Sequence, residues 1–263
     1  MLSVGADTVV TPMKGVAMSG PLSPFGAENP LRPSSGQSMP TMRRYTTRTL
    51  SAGGHVEDRD FRAPVTPEFQ TAFNAFAHGS LVATTQGPVA IEDLMPGMEV
   101  HTLEHGPLPV LWIGVMTYLP NPHGAPVLTR VTADRFGLAQ PAMDLLAGPG
   151  ARLLHRPAGA RFAHADRLAY TPLRDFIDGD GVIGISPRMA VDTYHISLRR
   201  HATIRVGGVE METFHPGMSV LEEMGTHTRQ LFMSMFPHMI RVTDFGRLAH
   251  PRLRMRAMED AAA

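Results

Sequence analysis

Between Gly79 and Gly217 the chain is a succession of short apolar stretches, each flanked by glycine or proline, and that punctuation restricts the region to a mainly β fold. The alternating run Leu81-Val82-Ala83-Thr84 after Gly79 reads as a first strand. The turn Gln86-Gly87-Pro88 follows, and Val89 to Leu94 reads as an extended arm closed by Pro96-Gly97. Further strands are predicted over 99–103, 110–116, 127–132, 151–154, 184–186, 191–198, 201–206 and 209–214. Gly207-Gly208 serves as the tight turn before the last of them.

The flanks carry other signals. Residues 1–66 lack sustained periodicity, and Pro, Gly, Ser and Thr are frequent from Gly20 to Gly54, which predicts a disordered N-terminal arm. Phe69, Phe73 and Phe76 are spaced by four and three, as in a short helical turn packed beside the β region. Residues 163–176, with Leu168, Leu173 and Phe176, predict a short helix or turn under the sheet. After Gly217 the period changes. Val220, Leu221, Met224, Leu231, Phe232 and Met235 recur near three and four, so one helix is predicted over 218–236, ending before Pro237. The expected organisation is an arm over 1–66, a β domain over 67–217, and a helix with an extended tail over 218–263 packed on that domain.

Composition bounds the chemistry. The chain has no cysteine, which removes thioester chemistry, disulfides and thiolate metal ligands. Lys plus Arg and Asp plus Glu number 24 each, so no global field draws nucleic acid to it, and Arg43-Arg44 with Arg48, or Arg252, Arg254 and Arg256, read as solvated basic surface. With 263 residues and 43% hydrophobic content it can bury one sizeable core. The first twenty residues lack a basic leading region, and the longest apolar run, 108–116, is too short for a bilayer. The expectation is no membrane span and a cytoplasmic location, with export by an unrecognised signal left open.

The residues also carry a family resemblance. The segment Ala75 to Val100, AFAHGSLVATTQGPVAIEDLMPGMEV, resembles the opening of the Hint fold shared by hedgehog autoprocessing domains and inteins, especially the bacterial hedgehog/intein type. Gly106 to Gly114 resembles that family's strand containing a tryptophan, and 195–201 with Glu212 to Gly217 resembles its closing strands. Four matches in order cover roughly 73–217. The resemblance implies a compact β fold in which a cysteine thiolate attacks the preceding peptide carbonyl. That position holds Ala75. A histidine expected in a Ser-Pro-Gln-His-Arg-like segment falls on Ala151 of Gly148-Pro149-Gly150-Ala151-Arg152, and an acidic position common before Arg-His falls on Arg199. The implied domain is degenerate and catalytically inactive, an interaction or scaffold module. The alternative is a self-cleaving or hydrolytic domain with Ser80 as nucleophile and His78, His101, His105 or His155 as base.

Other constellations read as structural. His195 and His201 share a strand face only if no bend intervenes, and His215 is the one nearby third ligand for a metal. Asp178-Gly179-Asp180-Gly181 lacks the remaining ligands of a calcium loop, and Gly148-Pro149-Gly150 lacks the Lys-Ser/Thr of a phosphate loop. No cofactor or metal is therefore expected. A protein partner would meet the N-terminal arm at Val9-Val10 or Arg43-Arg44, or the Met-rich stripe of the C-terminal helix, which core packing explains more simply.

Overall fold

A computed structural model describes residues 41–120, 124–125, 127–157 and 168–254. Fifteen strands dominate: β1 (Met42–Leu50), β2 (Val56–Pro64), β3 (Phe76–Ala77), β4 (Leu81–Thr84), β5 (Gly87–Ala90), β6 (Glu99–Thr102), β7 (Gly106–Tyr118), β8 (Leu128–Val131), β9 (Leu145–Ala147), β10 (Arg152–His155), β11 (Ala169–Pro172), β12 (Val182–Ile185), β13 (Val191–Leu198), β14 (Thr203–Val206) and β15 (Val209–Glu212). Three short helices join them: α1 (Pro67–Gln70), α2 (Met218–Glu223) and α3 (Thr226–Ser234). Every strand pairing is antiparallel. The long β7 organises the sheet. Its first part pairs with β6, while its later part lies between β1 and β13.

Two apolar clusters follow from that arrangement. The first gathers alternate residues of the short strands, including Ala75, Phe76, Val82, Val110, Ile113, Leu145, Ala151, Ile196, Ile204 and Met211. The second is aromatic and centres on Trp112, fully buried, whose indole N–H donates to the Met235 carbonyl at 2.7 Å and whose ring lies 4.5 Å from that of Phe236. Phe73 and Phe214 flank the same indole at 5.5 and 5.9 Å. Gly114 is required beneath it, because a Cβ there would enter the Trp112 and Phe73 rings.

The expectation of a disordered arm over 1–66 is corrected at its C-terminal end. Residues 42–64 form the β1–β2 hairpin, in register from Met42 opposite Pro64 to Leu50 opposite Val56, and Thr46 to Thr49 pair with Val115 to Trp112 of β7. Tyr45 and Ala63 are completely buried. Gly54, at φ +78°, closes the hairpin. Val9-Val10 and the rest of 1–40 lie outside the described residues, as do 163–167 and the tail beyond 254 with Arg256.

The predicted helix over 218–236 is also corrected. It breaks into α2 and α3 at Met224 and Gly225, both extended at ψ 132° and 149°. Glycine followed by Thr226-His227-Thr228 is a run of weak helix formers, and the break lets Met224 turn inward. Leu221, Met224, Phe232 and Met235 are buried in the aromatic cluster, so the Met-rich stripe is core and offers no open groove. Of the turn predicted over 163–176, the described part is β11 followed by a 3-10 turn over Leu173–Phe176. The aromatic triplet divides: α1 buries Phe69, while Phe76 enters β3. No helix among the described residues is long and apolar enough to cross a membrane.

Candidate functional site

Ala75 lies at the entrance to β3, and its surroundings are built by three segments. Its N–H donates to the Tyr194 carbonyl of β13 at 2.9 Å, and its carbonyl accepts the Gly148 N–H at 2.9 Å. The Gly150 N–H donates to the Asn74 carbonyl at 3.2 Å, so the Asn74–Ala75 peptide is clasped by the turn after β9. Ala151 follows in that turn, its N–H bonded to the Gly148 carbonyl. Ala75 and Ala151 are buried in the same apolar cluster.

The glycines of the turn have closed on this peptide. A Cβ at Gly148 would run into the Asn74 carbonyl, and one at Gly150 would come within 2.6 Å of Asn74 Oδ1 and 2.7 Å of the Thr71 carbonyl. Small residues at 75, 148, 150 and 151 thus leave close-packed backbone where side-chain chemistry would need room. Gly148→Ala is expected to cost about 1–3 kcal/mol of stability by overpacking. Gly225→Ala, whose Cβ meets nothing within 4 Å, should be near neutral, and denaturant unfolding of both variants checks the contrast.

One imidazole remains beside the junction. The register that sets Phe76 opposite Tyr194 carries Ala75 alongside His195. His195 is 2% exposed, Nδ1–H donates to the Thr71 carbonyl at 2.9 Å, and Nε2 has no partner. Burial lowers its pKa from 6.5 to about 4, so the ring is neutral at pH 7 with an unshared pair on Nε2. A neutral imidazole could take a proton from a nucleophile. Ala75 has none to give. Asn74 completes the surroundings, its Nδ2 donating to Tyr118 Oη at 2.8 Å while Oδ1 is buried without a partner.

The remaining sequence candidates lie apart from one another. Arg199 is exposed on the turn after β13, lining a surface cleft with Arg200 and Arg247, and no described contact links it to the Asn74–Ala75 peptide. Ser80 is 6% exposed, with its backbone engaged by Ala77 and Ile91, and among the described residues no hydrogen bond joins its hydroxyl to an imidazole. His78 is exposed and sits 3.4 Å from Glu92. Two hydroxyl–imidazole pairs do occur among the described residues, His155 with Thr171 at 2.8 Å and His238 with Ser197 at 3.4 Å. Both hydroxyls are buried at 1–2% exposure, and neither imidazole has a described carboxylate orienting it, so neither pair forms a triad with access to substrate.

The structure sets His195 apart from His201. The turn at Arg199-Arg200 separates His201 from β13, and His201 belongs to a different cluster around Glu212. Among the described residues no group of three or more His, Cys, Asp or Glu could hold a metal ion. Asp178 is occupied by its own turn, accepting the N–H groups of Asp180 and Val182 at 2.9 Å each.

Glu212 is the charged group that sequence reasoning overlooked. It is 1% exposed in β15, with Arg252 Nε donating to Oε1 at 2.9 Å and Arg152 3.5 Å from Oε2. His201 Nε2 lies 3.0 Å from Oε1, while its Nδ1 accepts the Ala249 N–H. Burial alone would push the Glu212 carboxyl up, but His201 and the two arginines outweigh it and hold it at about 2. Arg252 also bonds the His215 carbonyl at 2.6 Å, so this cluster fastens the C-terminal strap over 246–254 to the sheet. Comparison with known protein families matches residues 74–218 to the Hint domain. No curated protein matches the chain.

Proposed function

Since this chain belongs to the Hint domain family and carries no cysteine, we propose that it is a non-processing member whose fold is retained as an interaction or scaffold module. In this reading Ala75 and Ala151 occupy the positions of the lost nucleophile and its assisting histidine. The observation that carries it is the β1–β2 hairpin. The chain preceding Ala75 contributes Tyr45, Ala63, Phe69 and Phe73 to the buried aromatic cluster and pairs with β7, so it is a structural part of the domain rather than a departing group. Cutting before Ala75 would remove two strands from the sheet.

Intact mass of the full chain, followed with and without hydroxylamine and added thiol, tests this. A single species near 28.6 kDa, unchanged by either reagent, is expected. Fragments dividing at the Asn74–Ala75 bond would overturn the reading. They would mean that a nucleophile other than cysteine attacks at that bond.

A further inference from the structure

We propose that the cleft formed by the β6–β7 turn, the β13–β14 turn and the C-terminal strap binds a phosphate group. It has a volume of about 520 Å³ and is lined by Arg199, Arg200 and Arg247. Most other described arginines face carboxylates, as Arg44 faces Asp60, Arg135 faces Asp178 and Arg205 faces Glu210. Among the described residues these three have neither an ion pair nor a side-chain hydrogen bond. Three unpaired guanidinium groups around one opening repel each other, and an anion placed between them removes that repulsion.

The one carboxylate in the lining does not serve as that anion. Glu104 accepts the Thr203 N–H at 2.8 Å on Oε2 and the Thr203 hydroxyl at 2.6 Å on Oε1, with His250 Nε2 3.0 Å from the same Oε1. Its oxygens are committed to the wall. The walls are themselves anchored. The Ala249 N–H donates to His201 Nδ1 at 3.0 Å, while Tyr170 N–H donates to the Pro251 carbonyl and Leu253 N–H to the Tyr170 carbonyl, both at 2.8 Å. Arg247 is therefore presented from a strap fixed against the turn that carries Arg199 and Arg200.

The charge pattern favours phosphate over a carboxylate. A phosphate monoester offers three peripheral oxygens and close to two negative charges, and guanidinium recognises such oxygens with paired N–H groups. The volume falls within the roughly 300–1,000 Å³ typical of small-ligand pockets. Balanced overall charge fits an isolated phosphate better than a nucleic-acid backbone. The site also gives a role to Arg199, which lies apart from the Asn74–Ala75 peptide. It does not depend on the Ala75 junction being inert.

Amide NMR titration of the full chain with inorganic phosphate, glycerol 3-phosphate and the peptide Ala-Ala-phosphoserine-Ala-Ala tests the proposal. Saturable shifts are expected at 199–201 and 247–249, weakened about tenfold or more in Arg199→Ala and in Arg247→Ala, since each removes a charged hydrogen-bonding partner. Tighter binding of the peptide would identify a phosphorylated protein as the source, and tighter binding of glycerol 3-phosphate a small metabolite. Absence of saturable shifts, or shifts that persist in the Arg199→Ala/Arg247→Ala double variant, would overturn it. The intact-mass experiment reads the junction separately, so failure of one reading is distinguishable from failure of the other.

Discussion

Replacing Glu212 with alanine is expected to lower the unfolding free energy by about 3–5 kcal/mol, the range for removing one partner of a buried ion pair. The carboxylate is 1% exposed and is the shared counter-charge of Arg152 and Arg252, whose side chains are only 21% and 19% exposed. Without it two guanidinium groups stay in a poorly solvated wall. Arg252 also loses part of the anchor that holds the strap to the sheet, so Ala249 and Leu253 should become more exchangeable together with Arg252. For a domain with typical stability of about 5–15 kcal/mol, a loss of that size moves the denaturation midpoint substantially. Asp60→Asn is the internal comparison. Its partner Arg44 is 72% exposed, and solvent screening should leave the midpoint unchanged. Urea unfolding of the two variants side by side checks the difference, and equal midpoints would show that Glu212 is not the keystone of the strap.

The cluster around Glu212 also explains why parts of this protein are legible in sequence and others are not. Strand expectations at 81–84, 191–198 and 209–214 agree closely with the fold, because β-branched and apolar residues recur along them, and Gly79, Gly87 and Gly207-Gly208 mark ends of the first and last. β1 escapes the same reasoning. Its inward positions are Tyr45, Thr47 and Thr49, and its outward ones include Arg44, Thr46 and Arg48, so alternation in burial leaves almost no alternation in hydropathy. β7 starts at Gly106 because pairing with β6 carries it through Pro107 and Pro109, residues that argue against a strand when read alone. The absence of cysteine is legible because a missing thiol is a matter of residue identity. The close approach of Gly148 and Gly150 to Asn74, and the convergence of Arg152, His201, Glu212 and Arg252, depend on which strands meet in space. No local pattern announces them.

Acid lability is the second large effect expected of this fold, and it comes from histidines kept neutral by burial. His195, His215 and His238 each have the pKa lowered from 6.5 to about 4, by burial first, with the neighbouring His201 adding to the effect at His215. Between those values the unfolded chain takes up protons that the folded chain refuses. Stability is therefore fully present above about pH 6.5 and falls as pH drops through the window to 4. Near pH 5 the three groups together give a slope approaching roughly 4 kcal/mol per pH unit. Glu212 adds little above about pH 5. Its depressed pKa contributes stability that is lost only as pH falls from about 4.5 towards 2, so it compounds the collapse at lower pH. Urea unfolding from pH 7.5 to 4.5 should show a steep decline beginning near 6.5. His238→Phe separates the contributions, since its ring lies against Trp112 and Phe236 and its one described polar contact is Ser197 at 3.4 Å. That variant should keep the fold and flatten the slope by about one third, one of three protons. A stability that stays level between pH 7 and 5 would mean these rings reach water or a counter-charge in solution. The buried environment of His195 beside Ala75 would then have to be abandoned with them.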